Sequence, residues 1–229
     1  MSARRLTTIL MKFIALALSV LLVASLAWAH DFWLAASPWH LKPGDRITIT
    51  ANVGERFPLP TSFTSPDRIQ SLEVIGPTGK RLKPTPFRKA DQSLAADVVL
   101  PSTAGTYLVA MTVKPRFIQL QPDQFAEYLR HEGLEWIVDD RTSREEENKP
   151  GRERYSRYAK LLIRTGNGSS NRVTKPTGLK AELVPDTDPT SLNVGGTLGL
   201  RLLHEGRPVE GALVGAVYAT WSGDADNWP

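Results

Sequence analysis

With no cysteine in the chain, the side chains best suited to hold a transition metal are the four histidines, His30, His40, His131 and His204. His30 is the most informative of them. A cut after Ala29 makes it the N-terminal residue, and its α-amine and imidazole then form a chelate supplied by one residue. Such nitrogen donors suit copper, nickel, cobalt and zinc, and affinity alone favours copper. Asp31 either adds an oxygen ligand or orients the imidazole from outside the coordination sphere. His40 follows Trp39 ahead of the first clear strand, close enough in sequence to fold back on His30. His131 stands beside Glu132, but adjacent helical residues point in different directions, so that pair does not chelate together. His204 and Glu205 fall in a turn, where polar residues are expected with no ligand role. The candidate metal set is therefore His30, Asp31, His40 and His131. Each has a plainer reading: His30 as the residue a peptidase happens to leave, Asp31 as a solvated acid, His40 as a turn residue, His131 as a solvent-facing helix position. Phe32, Trp33 and Trp39 either wall a pocket around His30 or belong to the core of the first strand.

What would expose that terminus is the segment before it. Arg4, Arg5 and Lys12 precede an apolar run from Phe13 to Leu26, followed by Ala27-Trp28-Ala29. Basic, apolar and small-residue segments in that order read as a secretory signal peptide over residues 1–29, which implies a periplasmic or secreted protein. The competing reading is a membrane anchor, since a span needs at least about 17 residues. Met11-Lys12 could itself begin a complete signal, so translation starts at either Met1 or Met11. After cleavage no apolar run of spanning length remains, and the mature chain is not expected to cross a membrane.

Charge and composition narrow the classes further. The formal net charge of +4 is carried mostly by the leader. Three of the 28 basic residues and none of the 24 acids precede His30, so the remainder is nearly neutral and has no electrostatic case for nucleic acid. The absence of cysteine removes disulfides, zinc–thiolate sites and thiol catalysis. G-x-S-x-G, H-E-x-x-H, P-loop and dinucleotide fingerprints are all missing, and the expectation is a protein that is not an enzyme.

The elements that must position His30 are strands. Lys42-Pro43-Gly44-Asp45 is a turn that launches Arg46-Ile47-Thr48-Ile49-Thr50, in which apolar and polar residues alternate. Ser71–Ile75 reads as another strand, closed by Gly76-Pro77-Thr78-Gly79. Ala95–Leu100 and Thr106–Val113, about the turn 102–105, read as a hairpin. From Pro122 the period changes: Phe125, Tyr128 and Leu129, then Leu134, Ile137 and Val138, mark two short amphipathic helices over about 122–144. Arg144 to Gly151 is charged loop, and Tyr155–Arg164 alternates again. Residues 165–178 have the composition of a linker. Leu198–Leu203, the turn 204–208 and Val209–Ala219 form a second apparent hairpin. The expected fold is mostly β: an immunoglobulin-like β-sandwich over 30–164 with a helical insertion. A second, short or incomplete β-sandwich-like segment follows over 179–229.

A family resemblance rests on several of these stretches together. They are His30-Asp31-Phe32-Trp33-Leu34 with Lys42-Pro43-Gly44-Asp45, Tyr128-Leu129 with Glu132-Gly133-Leu134, Arg152-Glu153-Arg154-Tyr155-Ser156-Arg157-Tyr158-Ala159-Lys160, and Leu183-Val184-Pro185 with Asp188-Pro189. In that order the chain resembles the DUF4198 family, whose members have been grouped with periplasmic components of nickel and cobalt uptake systems. The resemblance implies an exported β-sandwich protein that binds Ni²⁺ or Co²⁺ and passes it to a membrane metal transporter, with His30 as the matching ligand. The basic stretch 152–160 is expected to be structural, its arginines pairing with acids such as Glu145 to Glu147.

Three functions compete: a periplasmic metal-binding protein, a copper enzyme built on an N-terminal histidine and a second imidazole, and a cell-envelope interaction module in which His30 is incidental. All depend on how the N-terminus is made. Cleavage between Ala29 and His30 is expected, and N-terminal sequencing of protein recovered from the periplasm checks it; an intact Met1 or Met11 on membrane-bound material would contradict it.

Overall fold

The computed structural model describes residues 30–38, 41–55 and 57–217. The leader, Trp39, His40 and the final residues from 218 lie outside them. By its contacts the chain divides into two compact units, Leu120–Gly151 in one, and His30–Gln119 with the chain from Arg152 onward in the other.

The larger unit is built of antiparallel strands. They are β1 (Asp31–Ser37), β2 (Arg46–Gly54), β3 (Ile69–Ile75), β4 (Arg81–Leu82), β5 (Arg88–Ala90), β6 (Ser93–Val99), β7 (Gly105–Leu120), β8 (Gly151–Thr165), β9 (Ala181–Pro185), β10 (Leu200–His204) and β11 (Arg207–Pro208). One sheet has the order β1-β2-β6-β5 and a second the order β4-β3-β7-β8, with β11-β10-β9 as a small third sheet. Leu34 and Ala36 of β1 and Ile47, Ile49 and Ala51 of β2 turn inward at every second position, which is the alternation visible in the sequence. They meet Val74, Tyr107, Val109, Met111 and Ile163 of the second sheet in one buried cluster. Mostly β and sandwich-like is therefore the observed class.

The second sheet is covered on its other face too. Ile75, Leu108 and Ala110 pack with Val173, flanked by Leu162 and Leu179. Strand β7 is thus buried on both faces from Gly105 to Met111, which explains why Tyr107-Leu108-Val109-Ala110-Met111 is continuously apolar rather than alternating. Segment 165–178 has the sparse apolar content expected of a connector, yet it buries Val173 and Ser170.

The expected hairpin of β6 with β7 is not formed. The two strands lie in different sheets, and the turn between them carries the chain from one layer to the other. The Tyr107 hydroxyl donates to the carbonyls of Thr103 (2.9 Å) and Pro101 (3.2 Å), tying the corner to the strand it feeds. This is the tyrosine-corner arrangement of Greek-key sandwiches, and burial raises the Tyr107 pKa above its ordinary value. A sequence pattern of strand, turn and strand does not distinguish such an arch from a hairpin. The later hairpin is only partly as expected. Strands β10 and β11 pair across Glu205-Gly206, both at positive φ (51° and 76°), as a two-residue type I′ turn requires. The second arm, however, is Arg207–Pro208, inside the expected turn, and 209–217, expected as that arm, form no strand.

Two buried carboxylates fasten the chain beyond β8. Glu182 of β9 accepts from Lys160 Nζ of β8 at 2.9 Å, from the backbone N–H groups of Thr177 and Gly178, and from the Thr177 hydroxyl. Its side chain is 2% exposed and that of Lys160 13%. Asp188 accepts from the Thr106 hydroxyl of β7 (2.6 Å), the Ser170 N–H, and both the N–H and the hydroxyl of Thr190. Burial works to raise both pKa values, but these donors outweigh it and hold each carboxyl below the ordinary carboxylate range.

In the smaller unit the first helix, Pro122–His131, buries Phe125 and Leu129 at i and i+4, and Tyr128 stacks on Phe125. The second, Glu135–Ser143, buries nothing. Its Arg141 lies over the Phe125 ring and donates to the carbonyls of Glu146 and Lys149, closing the charged loop. Glu146 pairs with Arg144 and Lys149 of that same loop. In the larger unit Arg154 and Arg157 lie over Phe117 and Tyr155, so these two arginines contact aromatic rings in place of the expected acids.

A depressed folded-state pKa gives stability that is complete above the unfolded carboxylate value, near 4, and is lost as pH falls through the folded value. Urea unfolding is therefore expected to show the larger unit losing stability below about pH 4. Glu182→Gln should cost about 3 kcal/mol at neutral pH, because it strands Lys160, and should flatten that acid dependence.

Candidate functional site

His30 immediately precedes β1, and the pairing of β1 with β2 fixes its neighbour. Asp31 is opposite Gly54 and Phe32 opposite Val53, so the next residues outward on the two strands are His30 and Glu55. The His30 Nε2 atom is 3.8 Å from Glu55 Oε1, an ion-pair distance when the imidazole is charged, and the His30 side chain is 34% exposed. An imidazole and a carboxylate thus meet at the end of an edge strand, each partly exposed.

The support beneath this pair is specific. Gly54 has no room for a side chain: a Cβ there would lie 2.6 Å from the Leu59 carbonyl oxygen and 3.0 Å from Cη2 of Trp33. Beyond Glu55 the chain turns back so that the N–H groups of Thr61 and Ser62 both donate to the Val53 carbonyl. Trp33 meets Phe57 of that loop edge to face, with ring centroids 5.7 Å apart. Deeper in the sheet, buried Asn52 accepts from the Ser93 hydroxyl at 2.6 Å and donates to the Trp33 and Thr50 carbonyls, linking β1, β2 and β6. The aromatics expected to wall a pocket have other duties: Phe32 packs on the sandwich core and Trp33 anchors the Glu55 loop.

The other expected ligands are distributed elsewhere. Asp31 opens β1 with its side chain exposed. His131 is exposed at the end of the first helix, in the other compact unit. His40 lies outside the described residues, and His204 is exposed at the end of β10. Among the described residues no three histidine, aspartate or glutamate side chains are grouped as a metal would require. Glu55 is the participant that the sequence reading missed, because it is 25 positions from His30 and only the register of β1 on β2 brings it there.

A family model described as a domain of unknown function, DUF4198, matches residues 27–227, which takes in both sheets of the sandwich, the helical unit and the β9–β11 segment. The chain belongs to the DUF4198 family. No curated protein matches it. Among solved structures, this DUF4198 chain is similar to a DUF4785 family protein from Legionella pneumophila subsp. pneumophila str. Philadelphia 1, at 12% identity and a TM-score of 0.29. The match covers 60% of the DUF4198 chain and 28% of the Legionella chain. Among the described residues, no helix is long and apolar enough to cross a membrane.

The contact beneath Gly54 gives a test of how the site is positioned. Gly54→Ala is expected to push Leu59 and Trp33 apart and lower stability by about 1–3 kcal/mol, measured by urea unfolding. An unchanged midpoint would show that the Glu55 loop yields freely.

Proposed function

We propose that this protein captures a divalent transition metal, Ni²⁺ or Co²⁺, outside the cytoplasm and delivers it to a membrane uptake system, without catalysis of its own. The reading rests on one observation: the approach of His30 Nε2 to Glu55 Oε1, 3.8 Å apart at the start of β1. In a chelate of the α-amine with the imidazole of the same residue, Nδ1 closes the ring. Nε2 is then the nitrogen that carries the proton, and a carboxylate facing it fixes the tautomer and raises the basicity of the ligating nitrogen. Glu55 stands where that carboxylate is needed. Its negative charge also favours a divalent cation close by. On this reading Asp31, His40 and His131 are auxiliary at most.

Export and cleavage after Ala29 are part of the proposal, since only they release the amine. Two nitrogens from one residue leave most of a metal's coordination positions open. A site of that kind suits a carrier better than a storage protein, because the acceptor's ligands can enter before the donor's leave. Copper will bind more tightly than nickel or cobalt wherever it is present.

Calorimetric titration of processed protein with NiCl₂ and CoCl₂ tests the reading. Affinity is expected to fall as pH is lowered, because protons compete for both nitrogens. His30→Ala should abolish most binding, one added residue before His30 should weaken it strongly, and Glu55→Gln should weaken it about 10- to 100-fold. His204→Ala should change little. Full nickel and cobalt affinity in His30→Ala, or in the extended chain, would overturn the proposal and favour an envelope interaction module.

A further inference from the structure

On a different part of the sandwich, the edges of the two main sheets leave a groove. Strand β5 covers only Ser93 to Ala95 of β6, so among the described residues Asp97 to Val99 have no strand neighbour on that side. The chain between β4 and β5 crosses there from one sheet to the other. It is tied to β6 by the Thr85 N–H, which donates to the Asp97 carbonyl at 2.8 Å, and by the Asp97 N–H, which donates to the Thr85 hydroxyl at 2.8 Å. The resulting cleft encloses about 460 Å³ and is open to solvent.

Its lining has one dominant sign of charge. Arg46, Arg81 and Lys83 face it together with a single carboxylate, Asp97. One oxygen of that carboxylate is engaged and its charge is paired: Oδ1 accepts from the Thr48 hydroxyl at 2.7 Å and from Arg88 Nη2 at 3.2 Å. Arg81 pairs with Glu73. Among the described residues Arg46 and Lys83 have no carboxylate partner. Thr85 accepts through its hydroxyl oxygen, which leaves the hydroxyl proton available to a ligand. Leu82 and Val99 supply an apolar wall, while Val98 beside them turns into the sandwich core. The crossing segment is also pre-formed, since Pro84 and Pro86 flank Thr85 and restrict the backbone, and Pro84 is buried.

We propose that this groove binds a small organic oxyanion, a compound with two negative charges on carboxylate or phosphate oxygens and a short hydrocarbon body. Two unpaired cations in a concave site concentrate positive potential, and a stiff backbone lowers the ordering cost of binding. Guanidinium, ammonium and hydroxyl donors match oxyanion oxygens, while the valine and leucine side chains accommodate the carbon body. The inference uses neither His30 nor Glu55 and stands or falls independently of metal capture.

The test is calorimetric titration of the processed full chain with succinate and with phenyl phosphate, using succinamide as the uncharged control. Saturable binding of at least one anion, weakened by added salt and absent for succinamide, is expected. Arg46→Gln and Lys83→Met should each weaken it about tenfold, the effect of one charge-assisted hydrogen bond. Lys83→Arg should retain most of it. Both side chains are exposed, so circular dichroism should be unchanged in the variants. The relative affinity of the two probes distinguishes a carboxylate ligand from a phosphate ester. No saturable binding of either anion, or equal binding by the double variant R46Q/K83M, would overturn the proposal.

Discussion

The arrangement of the larger unit depends on two carboxylates that are removed from water and still charged. Removing a carboxylate from solvent is costly unless several donors replace the water it loses. Glu182 and Asp188 meet that condition with donors from β7, from β8 and from the segment after β8. The same bonds hold Ser170 and Val173 against the outer face of the second sheet, which buries β7 on both sides. Without them the chain beyond Thr165 would have little to fasten it: segment 165–178 is poor in apolar residues, and the three-stranded sheet leaves Leu183 and Leu200 substantially exposed. The polar contacts therefore specify where the last strands lie, and the apolar contacts they permit supply much of the stabilisation.

Local structure was legible where one physical rule acted alone. The alternation of Arg46 to Thr50 marked a strand with one buried face, and Phe125 with Leu129 marked a helix. Legibility failed where long-range contacts decided. The turn before β7 has the composition of a hairpin turn, but the Tyr107 hydroxyl bonds draw it into a corner between sheets. Segment 165–178 looked like a free connector because its attachment is polar: Ser170 reaches Asp188 and the Pro77 carbonyl, bonds that leave no hydrophobic periodicity in the sequence.

The candidate site divides in the same way. His30 could be named from the residues before it, since the cleavage pattern is local. Glu55 could not, because its place follows from seven successive pairings of β1 with β2. The groove at Arg46, Lys83 and Thr85 was also hidden. Those residues come from two stretches of sequence and converge only because the chain changes sheets between β4 and β5.

The antiparallel ladder of β1 has a consequence in time as well as in space. Strand β1 is the outermost of its sheet, and its pairing with β2 runs from Ser37 opposite Thr48 to Asp31 opposite Gly54. Ladders open from their ends, so the amides beside His30 should exchange with solvent faster than those near Leu34, which are backed by the core. A ligand that grips His30 closes that end of the ladder. The exchange rate of the Trp33 amide, which faces β2 where that of Phe32 does not, then becomes a clock for how long the terminus stays occupied, one that runs whatever ion or partner does the holding.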